Sequence, residues 1–398
     1  MTKEIKTPIP KGQPPTVLAD EPAEPAGPMA ESTASDIGEL SQWQLIWLRF
    51  RENKLAMGGV ILLAIMYLMV AFTGFLAPNE FTTQNMDYVY GPPSPITFIG
   101  PNGKLGLRPY TYAVQMVLDK ENFKWVPEFN KEKKVPIKFF VKGDPYRLLG
   151  LTEADLHLFG VDPPHRLYPI GADALGRDMM ARTLAGGQVS MTVGLVGVAL
   201  TIFLGSVLGT ISGYFGGIVD DIMQRVIEII QSFPTIPLWA ALAAALPNIS
   251  ESFTMLHRYF LITVILSLVN WTGLARQLRA KVMAYRKADF TSAALVAGAS
   301  NWRIIFMHML PNAASHIVVV AALSIPGMIL GETSLSFLGL GILPPMVSWG
   351  ALLSSAQQVS VVVQHPWLII PGLGVVITVL GYSVLGDGLR DAVDPYSI

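Results

Sequence analysis

DFTSAALVAGASNWRIIFMHMLPN, residues 289–312, is rich in small and apolar residues, yet it follows the basic run RQLRAKVMAYRK (276–287). Apolar stretches long enough to cross a bilayer lie on both sides of it. Its own spacing predicts a short helix over 289–297, with Ala293, Ala294 and Ala297 on a small-residue face beside Leu295 and Val296. Gly298 can take the left-handed backbone that ends a helix. Ser300 or Asn301 can cap a second helix, running through WRIIFMHML until Pro311 resets the chain. Two short helices joined at a glycine make a compact knob whose small, apolar surface suits a pocket on another protein.

Working outward, about 20 apolar residues cross a hydrocarbon core of roughly 30 Å. Six segments qualify, at about 56–77, 188–212, 222–246, 259–278, 313–331 and 367–386. The fourth is interrupted by VNWTG (269–273), whose polar groups can be satisfied inside a bundle. Lys and Arg in short loops set the orientation. Arg49, Arg51 and Lys54 precede the first span. The loop 276–312 carries Arg276, Arg279, Lys281, Arg286, Lys287 and Arg303 against Asp289 alone, while 332–366 has no Lys or Arg. The knob and both termini are therefore expected in the cytoplasm.

The composition agrees with a membrane protein: 51% hydrophobic, 14% charged, mean hydropathy +0.45. A net charge of −1 gives no footprint for nucleic acid. The absence of cysteine excludes disulfides and thiolate chemistry, and the six histidines have no ligand spacing, so no metal site is expected. Residues 1–40 hold seven of the 29 prolines and read as a disordered cytoplasmic tail without the apolar region of a signal peptide. Residues 41–77 read as a helix at the membrane surface, with Trp43, Ile46 and Trp47 on one face, followed by the first span. A polar lead-in to that span is the alternative for the helix. Residues 78–167 are too many for a structureless loop. VPIKFFVKGDPYRLLG (135–150) alternates as a strand and reaches a Gly-Asp-Pro turn, so a small β-containing extracytoplasmic insertion is expected, longer than usual for such a position. Residues 168–398 form the main helical core, with five spans.

Gly205, Gly209 and Gly213, then Gly327 and Gly331, recur at the spacing that brings membrane helices together. No G-x-x-x-x-G-K-[ST] loop is present, since GPNGKL (100–105) has the wrong spacing, so no ATP or other cofactor is expected on this chain. No residue grouping suggests catalysis, and the spans lack an ionisable relay. Arg225 and Glu228 look like a local pair. Glu332 is the candidate for a charge at a pore mouth, with packing or capping as the alternative role. A multi-span protein without its own energy source must be driven by a partner if it transports.

The knob resembles the cytoplasmic E-A-A loop of binding-protein-dependent ABC importer permeases. Ala293, Ala294, Gly298 and Leu310–Pro311 match, and Ser292 stands in the place of the motif's Glu. YPIGADALGRDMMAR (168–182), GYFGGIVDDIMQRVIEIIQSFP (213–234), LGETSLSFLGLGILPPMVSWG (330–350) and LGDGLRDAVDP (385–395) resemble further blocks of the dipeptide/oligopeptide/nickel family, in family order. The resemblance implies an all-α, six-span type I importer fold in a prokaryotic inner membrane. It implies a sister permease, two cytoplasmic ATPases that use the ATP, and an extracytoplasmic solute-binding protein. It also implies coupling to the ATPases through Asp289, Ala293, Ala294, Gly298, Ala299, Ile305, Leu310 and Pro311. Peptides are the expected solute, with nickel chelates, oligosaccharides or opine-like compounds as alternatives. An ion-coupled secondary transporter is the reading from another class.

Overall fold

The computed structural model describes residues 41–99, 105–119, 124–148, 150–247 and 249–394. The tail expected over 1–40 lies outside the described residues. By its contacts the chain divides after Leu48. The first described helix is α1 (Gln42–Glu52). Its Trp43 and Trp47 are exposed, as a helix at a lipid surface requires, whereas Ile46 is buried.

Five helical stretches are long and apolar enough to cross a membrane. They are α2 (Lys54–Ala71), α3 (Met179–Phe215), α6 (Met255–Tyr285), α8 (Ala314–Phe337), and Pro366–Val393, which contains α10 (Ile370–Val393). The expected third span is not one straight helix. It is divided into α4 (Gly217–Ser232) and α5 (Thr235–Ala244), bent by 86° at Phe233–Pro234. Pro234 cannot continue a helix and disfavours helical backbone at the residue before it. The described residues thus hold five apolar spans, or six if the bent pair counts as one.

The expected β insertion is present between α2 and α3. Strands β1 (Thr97–Ile99), β2 (Leu105–Asp119) and β3 (Lys124–Pro136) form one antiparallel sheet in that order. β4 (Lys138–Leu148) and β5 (Thr152–Gly160) form a separate hairpin. Gly143-Asp144-Pro145 does not end a strand, contrary to the sequence reading. It lies inside β4, where the register slips between Lys142 and Tyr146. A bulge on a two-stranded ribbon tolerates a proline that a central strand would reject.

Polar groups fasten this region to the helices. His157 is buried, with Nδ1 2.6 Å from the Ala77 carbonyl and Nε2 2.9 Å from that of Asp144. Arg166 pairs with Asp144 at 3.0 Å. Burial raises the Asp144 carboxyl, but the Glu80 N–H and Arg166 outweigh it and hold it below its usual value. Asp178 caps α3 by accepting from Met180 N at 2.8 Å, and accepts from Asn79 Nδ2 at 2.9 Å. α3 has 37 residues, a length of about 55 Å at 1.5 Å per residue. The β region meets its first turn and the 289–312 segment meets its last, so the two lie at opposite ends of it.

Candidate functional site

The 289–312 segment is the knob its sequence describes. α7 (Asp289–Val296) ends at Gly298, whose φ is +78°. Ala299 N bonds the Ala294 carbonyl and Gly298 N that of Leu295, both at 3.0 Å. These are the two bonds of a Schellman stop, which needs a left-handed residue and so favours glycine. Ser300 then accepts from Arg303 N at 3.4 Å and starts the next turn. The second helix is not regular: residues Ile304–Met309 widen into a π turn before Leu310–Asn312. Pro311 has no N–H to bond back along an α-helix, and Asn312 Nδ2 instead reaches the His308 carbonyl at 2.6 Å.

The knob sits on the last turns of α3 and α6. Val282, Ile304 and Met309 are fully buried together, with Tyr214, Tyr285, Ala294 and Ala299 packed around them. Thr291 donates to the Tyr285 carbonyl at 2.7 Å, and Tyr214 to Asn301 Oδ1 at 2.8 Å. The expected contact residues therefore divide. Asp289, Ala293, Gly298 and Pro311 are exposed, Ala294, Ala299 and Leu310 half-buried. Ile305 is fully buried and is part of the knob's own filling rather than of its surface. The exposed large apolar residues are Val296, at 90%, with Phe290, Leu295, Trp302, Phe306 and Met307. Thr291 and Tyr214 have no signal in the sequence, and Asn301 reads there only as a possible cap; no local pattern links residues 87 apart.

Beneath the knob, α3 and α6 meet along a glycine seam. A Cβ on Gly205 would lie 2.9 Å from Leu274 Cβ, on Gly209 2.4 Å from the Ala275 carbonyl oxygen, and on Gly213 2.7 Å from that of Arg279. Gly331 likewise meets the Trp239 ring at 3.0 Å. Gly327 differs: among the described residues, no other element of this chain lies within 4 Å of its place for a Cβ. Where the seam ends, Asp220 of α4 takes Arg279 in a bidentate pair, with both contacts at 2.5 Å, and accepts from Ser212. This three-helix clasp lies inside the quoted 213–234 block, yet sequence reading passed over Asp220 in favour of Arg225. Arg225 does pair with Glu228, at 3.0 Å, on the surface.

Glu332 is fully buried, so it offers no charge to solvent at a pore mouth in this conformation. Ser190 Oγ donates to its Oε2 at 2.8 Å and Ser336 Oγ to its Oε1 at 2.6 Å. Each hydroxyl also accepts a backbone N–H, Ser190 from Trp349 and Ser336 from Ile342. The carboxylate thereby joins α3, α8, the turn after α8 and the start of α9 (Trp349–Leu353), satisfying the polar groups that burial would otherwise penalise. Arg258 holds the same turn through the carbonyls of Leu340 and Gly341, both at 2.8 Å. Among the described residues no cluster of His, Asp and Glu is placed to hold a metal.

Residues 205–396 match the family described as binding-protein-dependent transport system inner membrane component, and residues 41–93 match the N-terminal transmembrane domain of oligopeptide transport permease C. The chain is 41% identical over 227 residues to an oligopeptide transport system permease protein of Haemophilus influenzae, covering 56% of this chain and 69% of the relative. It is 32% identical over 360 residues to a dipeptide transport system permease protein of Lactococcus lactis, covering 89% of this chain and 91% of the relative. To an oligopeptide transport system permease protein of Bacillus subtilis it is 28% identical over 376 residues, covering 92% and 96%.

Proposed function

We propose a specific role for this chain, which belongs to the family of inner-membrane components of binding-protein-dependent transport systems: it is the permease through which peptides pass. Permeases of this family are non-catalytic, and ATP hydrolysis occurs in separate ATPase subunits. The chain is a multi-pass inner-membrane protein. Its relatives are named for oligopeptides and dipeptides, which supports peptides as the solute.

The observation that carries the mechanism is the exposed apolar knob at one end of α3, opposite the β region. The knob faces the cytoplasm, by the distribution of Lys and Arg, and docks in a groove of an ATPase subunit. Leu295, Val296, Trp302 and Met307 enter that groove, Asp289, Ala293, Gly298 and Pro311 lie at its rim, and Ile305 keeps the knob rigid. A sister permease completes the pore, and an extracytoplasmic binding protein delivers the peptide to the β side. Closure of the ATPases on ATP then favours one of two arrangements of the spans and hydrolysis the other. Val296→Asp and Trp302→Ala should leave the spans inserted and abolish co-purification with the ATPases. Retained co-purification with normal peptide uptake would refute the docking role.

A further inference from the structure

α2 and α10 run antiparallel and leave a groove along one side of their contact. A Cβ on Gly59 would lie 3.1 Å from the Gly381 carbonyl oxygen, and nearer the start of α2 a Cβ on Gly388 would collide with that of Ala56. Beside this contact lies a cavity of about 430 Å³. Leu55, Gly58 and Leu62 of α2 and Leu380 and Val384 of α10 wall it, and Lys54 stands at one end. Lys54 to Leu62 is a rise of about 12 Å, so the volume corresponds to a channel about 6 Å across. A helix with its side chains is about 10–12 Å wide and does not fit. Packing within the chain does not account for Gly58: among the described residues, no other element lies within 4 Å of its place for a Cβ. Glycine inside a helix is unfavourable, and here its effect is to deepen the groove.

We propose that this groove binds one acyl chain of a phosphatidylethanolamine, whose phosphate meets Lys54 and whose ammonium meets Asp387. Apart from Lys54, every side chain of the lining is apolar or absent. Such walls suit a hydrocarbon and reject a peptide or sugar, whose polar groups would go unbonded. The charges lie where a headgroup would be. Lys54 is the exposed first residue of α2, at the end of that helix away from the β region. Because α10 runs the other way, it reaches the same end with Asp387, which is exposed and three residues beyond Val384, on the same helix face. A chain entering there runs past Gly58 to Leu62, from the membrane surface toward its middle. Opposite charges flanking the entrance match a headgroup that carries both signs, through charge-assisted hydrogen bonds. Phosphoglycerol has no cation for Asp387, and the quaternary ammonium of phosphocholine has no N–H to donate. Lipid that merely surrounds the protein would meet Ile61, Ile65 and Leu68 on the exposed side of α2 as readily as the groove.

The test uses the full chain in phosphatidylcholine nanodiscs with a trace of phosphatidylethanolamine that carries a diazirine in its acyl chain. Irradiation should label Leu55, Leu62, Leu380 or Val384 in several-fold excess over Ile61, Ile65 and Leu68, as read by mass spectrometry. Exchanging part of the host lipid for unlabelled phosphatidylethanolamine should reduce that labelling several-fold, and the same exchange for phosphatidylglycerol should not. Gly58→Phe should abolish the excess without lowering the melting temperature, because its ring enters open space. Lys54→Gln should weaken the labelling, and Asp387→Asn should remove the preference over phosphatidylglycerol. Even labelling along α2, equal displacement by the two lipids, stronger displacement by phosphatidylglycerol, or undiminished labelling of Gly58→Phe would each overturn the proposal.

Discussion

The glycine seam and the knob both depend on glycine, for opposite reasons. In the seam the residue is demanded by space: Gly209 lies so close to Ala275 that a Cβ would stand 2.4 Å from a backbone oxygen. In the knob it is demanded by backbone shape: Gly298 has φ +78° and empty space where a side chain would be. In a membrane, helices are held by close packing rather than by hydrophobic burial, so a seam is completed within the chain. The knob instead leaves Val296, Trp302 and Met307 exposed at the opposite end of α3 from the β region. One region is finished by folding, while the other keeps apolar side chains exposed, as the proposed docking requires.

The strongest way to break this contrast is Gly209→Leu. Overpacking a fitted contact costs about 1–3 kcal/mol, occasionally more, and here the obstacle is rigid backbone. The folded permease should be lost from detergent extracts, as size-exclusion chromatography would show, whereas Gly327→Ala should change nothing measurable.

Next in size is a pH effect at the start of α3. Burial raises the Asp178 carboxyl to about 7. Because this lies above the unfolded value of 3.8, the folded state holds the extra proton. The associated stability is complete below the unfolded value and is lost as pH rises through about 7. At 1.36 kcal/mol per unit the loss is on the order of 4 kcal/mol as an upper bound. Asp178→Asn keeps an acceptor for Met180 N and cannot ionise, so its melting temperature should vary less with pH between these limits. Parallel profiles for the two proteins would remove the assignment.

Arg279→Ala tests where seam and clasp meet. With Arg279 partly exposed, screening reduces the loss to about 1–2 kcal/mol. Adding Asp220→Ala should cost less than the sum of the single changes. A strictly additive double variant would mean that the pair is idle.

Gly298→Val should have the smallest effect on stability, about 1 kcal/mol. Its effect on transport should be far larger, because it re-aims the surface proposed to dock on the ATPase. Gly298→Asn, which tolerates the left-handed region better, should recover part of the uptake in vesicles. Equal uptake by all three proteins would erase the distinction between seam and knob.

Much of this was legible in the sequence. Apolar runs mark the five long apolar helices, and the pattern of 289–312 describes the knob, its glycine stop and a cap at Ser300 or Asn301. What remained hidden depends on which face meets which. Periodicity makes Ile305 apolar but does not say that it points inward. It makes Gly327 and Gly331 equivalent, although only Gly331 meets another helix of the chain. Asp220 and Arg279 are 59 residues apart, and no local signal pairs them. Gly-Asp-Pro reads as a turn because its residues favour turns, and only its neighbour across the hairpin makes it a bulge.

The 37-residue length of α3 has a mechanical consequence. The helix is longer than the roughly 30 Å hydrocarbon core, and the seam packs its C-terminal half against α6. A helix of that length can act as a lever arm rather than only as a crossing. A rod about 55 Å long, tilted by about 5° around one end, moves the other by about 5 Å. Tilting driven at the knob would thus arrive at the β region as a displacement about as large as the spacing of two strands, roughly 4.8 Å, without any residue along the helix having to change its conformation.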